Sequence, residues 1–493
     1  MWSGRFREPL DPAFEQWQRS FPFDWRLLPQ EIAASKAHAH AIADAGILTE
    51  AELSSTLLGL DQVLVTTEAD AQRRMAVLNN TPDTHTWAFA DLGPAIVASA
   101  PEAEDVHHFV ELTLRRLIGD LALKLHTGRS RNEQIATDLR LYVRLAIDVA
   151  ISDLRTWLGA LARKANDAGN AVMPSYTHLQ RAEPVLVAHW LLAYAGMAER
   201  DLSRLTDCRR RLNLCPLGSG AVAGATLALD RSITAELLGF DAPTANSMDA
   251  TSDRDFALEF AQVAATIGIH LSRFAEEIIL FSTAEYAFVD LPEAFSTGSS
   301  AMPQKKNPDL AELLRGKSAR LLGNAQTLAA LIKGLPLAYN KDLQETQEPV
   351  FDVVETLLGI LPLLAPFTAA LTLHPERMAH AATHGYLNAM AAATYLVHQG
   401  IPFRLAHEQI GHAVRFALER GVELNDVPLA DLQQFGPNFD AGFVESLSLA
   451  ATLASHDVVG GTAPARVQQA LRDLETRIAA HEAAEVSEVS SVR

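Results

Sequence analysis

The feature that most constrains this chain is a run without glycine or proline from residue 130 to residue 158. Within it Ile135, Leu139, Leu141, Leu145, Ile147, Val149 and Leu154 recur at mixed three- and four-residue intervals, the period of one helix face. The spacing predicts a long helix. Similar unbroken runs cover residues 197–215 and 244–267, the second carrying Thr251-Ser252-Asp253 as N-cap chemistry before Phe256, Leu258 and Phe260. Helical pattern continues over 310–332 and 343–358. Alanine and leucine are abundant, aromatic residues make up only 7%, and alternating Val/Ile/Thr segments are short. An all-α fold built on a long-helix bundle is therefore expected.

A chain of 493 residues exceeds what one core usually supports. The central helices separate an N-terminal region, 1–129, from a C-terminal region, 375–493, so the expected division is 1–129, 130–374 and 375–493. Residues 79–85, together with Gly93-Pro94 and onward to Pro101, read as one longer-than-average connection before a helix over 104–118. Residues 482–493 read as a frayed tail. Residues 356–374 carry no charge and approach the length of a membrane span. Gly359, Pro362 and Pro366 are expected to break that stretch, which then reads as a buried helix end and a turn.

The net charge of −19 argues against nucleic acid or an anionic membrane surface as partner. Any anionic substrate must be drawn by local positive charge. Cys208 and Cys215 lie seven apart in a run free of glycine and proline, which would set both near one helix face without making a disulfide framework. A reducing cytoplasm is the expected location, and no signal peptide is visible after Met1. No metal is expected, since no thiolate/imidazole cluster has zinc spacing and the adjacent His107 and His108 fall on different helix faces. No cofactor is expected either, because no Gly-rich dinucleotide or phosphate loop follows a strand.

Chemistry concentrates in Gly298-Ser299-Ser300-Ala301-Met302-Pro303-Gln304-Lys305-Lys306-Asn307-Pro308. This loop combines hydroxyls, ammonium groups and an amide donor between turn formers, a composition suited to holding a carboxylate. Lys305 and Asn307 can face one anion, and a serine here could also act as a base. Read without further context, the same residues also suit a plain surface loop.

The loop resembles the signature loop of the fumarase/aspartase superfamily. Within that superfamily, four further stretches resemble the argininosuccinate lyase family. They are His126 to Gln134, with Arg129-Ser130-Arg131-Asn132; Tyr176-Thr177-His178-Leu179-Gln180-Arg181; Asn246 to Asp255; and Gly334 to Glu345. With Trp2-Ser3-Gly4-Arg5-Phe6 at one end and Gly460-Gly461-Thr462-Ala463 at the other, the likeness spans nearly the whole chain.

The resemblance implies three mainly helical domains, a twenty-helix core in a homotetramer, and active sites shared between three subunits. It implies elimination of fumarate from argininosuccinate to release L-arginine. Ser299 in the loop 296–308 is then the base, and Lys305 and Asn307 stabilise the aci-carboxylate, with Lys306 the weaker candidate. His178 manages the proton of the leaving nitrogen and Glu312 pairs with it. Thr177, Ser130, Arg131 and Asn132 grip the succinyl carboxylates, while Ser20, Tyr339, Gln344 and position 347 bind the arginine-like end. His107 and Glu111 lie in a supporting segment.

Three substitutions depart from the family pattern. Gln347 stands where a lysine is usual, removing a fixed charge that Lys341 could supply instead. Glu133 replaces an aspartate, and Glu183 replaces a glutamine near a site meant for a polyanion. The 77–101 connection also looks longer than in the family. The alternatives are a lyase of the same superfamily acting on another N-substituted aspartate, favoured by Gln347, and a catalytically silent structural relative such as the eye-lens crystallins.

Overall fold

The computed structural model describes residues 7–79 and 88–491, and over them the chain is all-α, with four two-stranded sheets as its only β-structure. Five of the seven longest described helices answer to the expected runs: Arg131–Ala168, Val187–Leu212, Asp255–Phe281, Asp309–Ile332 and Gln347–Ala370. Each covers an expected helical run, with changed ends. The second begins ten residues before Met197, runs through Gly196, and stops at Leu212, so Cys215 lies in the two-residue strand Leu214–Cys215 and not on the helix face with Cys208. Both cysteines are buried and free. The third is preceded by a separate turn, Ser247–Ser252, and Asp253 Oδ1 accepts from the Asp255 amide at 2.7 Å, so the cap falls at the last of the three expected residues.

Two expected breaks are absent. The helix Gln347–Ala370 continues through Pro362 and Pro366. Gly359, Pro362 and Pro366 fall at i, i+3 and i+7, on one exposed stripe, so the carbonyls that proline leaves unpaired face outward while the opposite face packs. By length and composition Lys341–Ala370 could cross a membrane, but 67% of its most apolar window is buried inside the protein, as in a core helix. Residues 88–99 form a helix instead of a connection. Gly93 is needed there because a Cβ at that position would lie 2.1 Å from the Trp25 ring. The remainder of the expected connection, residues 80–87, lies outside the described residues, as does the Trp2 to Phe6 stretch.

Backbone contacts group the chain into two units. The first comprises Met1–Val149, Arg204–Ala265 and Arg320–Leu357. In its core Ala34, Ala37 and Leu141 pack with Cys215, Leu217, Ala235, Leu238 and Phe240, all nearly or wholly buried. Phe21 stacks on Phe109 with centroids 5.1 Å apart, tying the short helix Phe21–Asp24 to the helix Val106–Ile118.

The second unit comprises Ala150–Ser203, Thr266–Ala319 and Leu358–Arg493. It holds an aromatic cluster: Phe281 lies within 6.0 Å of Tyr176, 5.7 Å of Trp190 and Tyr286, and 5.6 Å of Phe288, by ring centroids. Such tilted and edge-to-face pairs add to what area burial alone provides. A further cluster centred on Phe439, Phe443, Ile410 and Leu396 closes the C-terminal helices.

Tyr176 belongs to the hairpin Val172–Thr177/Gln180–Leu186, so the aromatic cluster supports the turn that carries His178. Truncation by Phe281→Ala removes the ring that four others contact. It should destabilise the protein by about 3–5 kcal/mol, read as a drop in thermal midpoint.

Candidate active site

In the first unit a cavity of ≈180 Å³ is lined by Ser20, Asp24, Glu104, Asp105, His107, Arg131, Asn132, Ile135, Tyr339, Lys341, Gln344 and Gln347. Six of the expected site residues, Ser20, Arg131, Asn132, Tyr339, Gln344 and Gln347, meet here from three distant segments. Local chemistry sets each of them. Ser130 begins the longest helix as a capping box: its amide donates to Glu133 Oε1 at 2.9 Å and its Oγ accepts from the Asn132 amide at 3.3 Å. The first helical residues, Arg131 and Asn132, therefore project into the cavity, and Asn132 Nδ2 donates to the Ala221 carbonyl at 3.0 Å.

Glu133 Oε2 accepts from the Gly220 amide at 2.9 Å, which accounts for the longer acid at this position. Gly220 holds φ at 60°, and a Cβ there would meet the Gly224 carbonyl oxygen at 2.7 Å. Burial raises the pKa of Glu133 despite these two donors.

Charge in the cavity is mixed. Arg131 lies 3.2 Å from Asp105 and 3.7 Å from both Glu104 and Glu111, so its guanidinium is held by carboxylates of this same unit. Lys341 Nζ stands 3.9 Å from Glu104. Asp24, fully buried, accepts from the Val106 amide at 3.0 Å, and burial followed by the charge of Asp105 pushes its pKa well up. Gln344 Nε2 donates to the Gln18 carbonyl at 3.2 Å, whereas Gln347 is 3% exposed and its Oε1 has no partner. Burial also raises Tyr339, opposed by the charge of Arg254, which is itself fully buried and pushed down to about 10 by desolvation.

Beneath the cavity lies a buried polar cluster that spacing did not reveal. Glu31, His107 and Asp138 place one ligand-type atom each within 4.8 Å of the others, the one such metal-competent group among the described residues. Protein groups already satisfy Glu31, which accepts from Ser35 at 2.6 Å and Gln134 at 3.2 Å, with Arg129 3.9 Å away. Burial would raise Glu31, but the charges of His107 and Arg129 outweigh it and keep it ionised. Asp138 is pushed well up by burial and by the Glu31 charge, and so holds the proton. The pair resembles other coupled carboxylates in carrying one charge between two groups.

The remaining expected residues lie in the second unit. Thr177 and Gln180 pair across a two-residue turn made by His178 and Leu179, whose φ angles are 55° and 57°. Left-handed conformation at both positions is the geometry of a type I′ turn, ordinarily filled by Asn-Gly. It costs an L-residue roughly 1–2 kcal/mol. His178 is thereby held out on an exposed tip.

The loop from 296 to 308 is closed by the strands Thr297–Gly298 and Lys306–Asn307. Ser299 Oγ accepts from the Ala301 amide at 3.2 Å and the Met302 amide at 3.1 Å. Lys305 Nζ donates to Asn307 Oδ1 at 2.6 Å, while Lys306 is tied to Asp290 at 2.6 Å and to the Leu291 carbonyl at 2.8 Å. Lys305 thus belongs to the loop's interior chemistry and Lys306 to its anchorage. Glu312 is exposed in the first turn of Asp309–Ile332 and, within one chain, makes no hydrogen bond or ion pair with His178. Glu183 Oε1 lies 3.7 Å from His456 Nε2, so its added charge faces an imidazole.

Comparison with known proteins decides the family. A profile described as Lyase matches residues 4–323, and one described as Argininosuccinate lyase C-terminal matches residues 386–454. The chain is 60% identical to the argininosuccinate lyase of Acidobacterium capsulatum, covering 97% of this chain and 94% of that one. The chain belongs to the argininosuccinate lyase family. It is thus an enzyme, a carbon–nitrogen lyase of the fumarase/aspartase superfamily. The Koribacter versatilis argininosuccinate lyase is 55% identical over 97% of this chain and 98% of its own length. Among solved structures, an EDDS lyase variant with bound fumarate superposes with TM-score 0.80 at 26% identity, covering 98% of this chain and 93% of the other.

Sequence reasoning missed Asp24, Glu104, Asp105 and Arg254. Asp24 sits four residues after Ser20, and that proximity was the available signal. The buried His38 of the first unit gives a pH dependence. His38 bonds the Thr127 carbonyl at 3.0 Å and is driven down to about 3, first by burial and then by the charge of Arg129. Above its ordinary 6.5 it is neutral folded or unfolded; below that, only the unfolded chain takes the proton. Stability should fall as pH drops from 6.5 toward 3, by up to roughly 1.4 kcal/mol per unit. His38→Gln, which keeps a donor and removes the titration, should flatten the decline in thermal midpoint between neutral and mildly acidic pH.

Proposed function

We propose that this enzyme eliminates fumarate from argininosuccinate and releases L-arginine. The observation that carries the reading is the full-length kinship to argininosuccinate lyases. The geometry supplies a mechanism for it.

Ser299 takes the proton from the succinyl carbon beside a carboxylate. A free hydroxyl is too weak an acid to be ionised for this work. Two backbone N–H dipoles aimed at Ser299 Oγ favour the alkoxide, and Lys305 on the same loop adds positive charge. Removing the proton puts a second charge on the carboxylate. Lys305 and Asn307, already joined at 2.6 Å, form a cation and amide pair fit to hold that aci-carboxylate, a donor being worth roughly 3 kcal/mol of barrier. Collapse then breaks the C–N bond, and His178 delivers a proton to the departing guanidino nitrogen. Glu312 orients His178 only across a subunit boundary, Thr177, Ser130, Arg131 and Asn132 hold the succinyl carboxylates, and the ≈180 Å³ cavity, through Ser20, Tyr339 and Gln344, takes the amino-acid end.

We also infer a homotetramer whose sites are shared between subunits. It is supported by Leu145, Ile269, Leu313 and Leu322, large apolar side chains that stand exposed on long helices. The three-part division at 130 and 375 belongs to this reading, and Arg131 and Pro375 each begin a helix.

Fumarate absorbance should rise when purified protein meets argininosuccinate, and Ser299→Ala should lower kcat by about a hundredfold or more while fumarate still binds. Turnover of another N-substituted aspartate in place of argininosuccinate would move the specificity and keep the mechanism. Diluted until light scattering reports monomers, the protein should lose its activity; a fully active monomer would contradict the shared site.

A further inference from the structure

The hairpin that carries His178 has a weak rung. Pro174 pairs with Pro184, and two prolines facing each other bring no N–H to the ladder. Above them the register shifts, so that Ala182 and Glu183 together stand opposite Ser175 in a β-bulge. Side chains supply what the ladder lacks. Ser175 Oγ accepts from the Glu183 amide at 3.1 Å and donates to the Glu183 carbonyl at 2.7 Å. Arg181 donates to the Ala381 and His384 carbonyls at 3.3 and 3.4 Å. From the bulge Glu183 extends to His456, with Oε1 and Nε2 3.7 Å apart, and that nitrogen is out of solvent without a hydrogen-bond partner. His189, on the helix Val187–Leu212, is held below the ordinary imidazole range by burial and then by the charge of His456. Asp457, next to His456 in the chain, is occupied by Arg466 at 2.6 Å. Among the described residues, Glu183 is therefore the carboxylate that faces the His456 imidazole.

We propose that Glu183 is a positioning residue for the elimination: with His456 as its counter-charge it fixes the bulge below the turn, and so fixes where the imidazole of His178 stands. The inference rests on His178 serving the leaving nitrogen. A bulge sharpens the twist of its strand and re-aims what projects beyond it. Only two rungs, Tyr176 with Arg181 and Thr177 with Gln180, separate this bulge from the His178-Leu179 turn, so a shift at 183 carries to the tip. The base of the hairpin is held independently, since the Leu186 amide donates to Thr462 Oγ1 at 2.8 Å. A glutamine at 183 would be indifferent to the charge of His456, whereas a carboxylate is drawn to an imidazolium. An imidazole changes charge across neutral pH, so the hold on the tip is tightest in mildly acidic solution. A half-exposed ion pair of this kind accounts for roughly two- to fivefold in a rate that depends on it.

Steady-state kinetics of the whole protein with argininosuccinate test this for the wild type, Glu183→Gln, His456→Gln and the double variant, from about pH 6 to about pH 9. The Glu183 side chain is 40% exposed, so its amide variant should fold. Near the acidic end each single variant should lower kcat roughly two- to fivefold with KM unchanged. The double variant should be no slower than the slower single one, because both substitutions remove the same pair. The ratio of wild-type kcat to that of Glu183→Gln should fall toward one as the pH rises past about 8. Additive losses in the double variant, a ratio that does not move with pH, a change confined to KM, or a lowered thermal midpoint with kcat intact would each overturn the proposal. His178→Asn is assayed beside them. Full kcat in that variant, or no turnover by the wild type, would sink the functional reading and the positioning role with it. A slow His178→Asn enzyme beside a Glu183→Gln enzyme at full rate would sink the positioning role alone.

Discussion

Glu133 is the side chain on which the cavity depends. One of its oxygens holds the Ser130 amide and the other the Gly220 amide, so a single carboxylate fixes both the start of the longest helix and a loop some ninety residues later, about 3 Å from each. Helix N-termini leave amides unpaired, and a buried N-terminus must find acceptors within the protein. Here that need is met by an acid fully out of solvent, which can tolerate burial because both oxygens are occupied by donors. Arg131 and Asn132 inherit their directions from this arrangement. The neighbouring cluster repeats the logic: Glu31 gathers Ser35 and Gln134, Arg129 donates to Ser35 at 2.8 Å, and Asp138 keeps its proton because a second buried charge beside Glu31 has no donor left to meet it.

Much of this was legible in the sequence, and what was hidden had physical reasons. Helix periodicity marks the long helices because their apolar faces are packed; residues 135 to 154 show it with no help from context. The ends were less visible. Gly359, Pro362 and Pro366 look like a stop, yet their common exposed stripe lets the helix pass, and a linear pattern does not say which face a proline will occupy. The hairpin at 172–186 was invisible because His178-Leu179 carries none of the Asn or Gly that would signal a turn with two left-handed residues. The composition around Ser299, with glycine, serine and lysine at short range, suited holding a carboxylate but suited a plain surface loop as well, and the roles themselves came from family resemblance. The Glu31, His107 and Asp138 cluster came from neither, because residues distant in sequence give no spacing to read.

A chain with a net charge of −19 that handles a polyanion must separate its charges in space. The structure does so by committing cations locally. Lys306 serves Asp290 and anchors the loop, leaving Lys305 on Asn307, where the pair presents positive charge and an amide together. In the cavity the balance reverses, with acids holding Arg131 and a neutral Gln347 among them.

The strain at the hairpin tip completes the account. Two non-glycine residues in left-handed conformation would relax if the flanking strands allowed it, so the aromatic cluster under Tyr176 must outweigh the roughly 1–3 kcal/mol each such residue stores. A glycine at Leu179 would satisfy the turn more cheaply but would also let the tip sample other conformations. With leucine in place, the backbone has fewer alternatives once folded, and the imidazole of His178 is held in a narrow range of positions despite its exposure. Ser299 achieves the same restriction by another route, its hydroxyl fixed by two amides of its own loop. Both groups are oriented by backbone geometry, not by side-chain packing around them, which leaves His178 and Ser299 partly or wholly open to solvent.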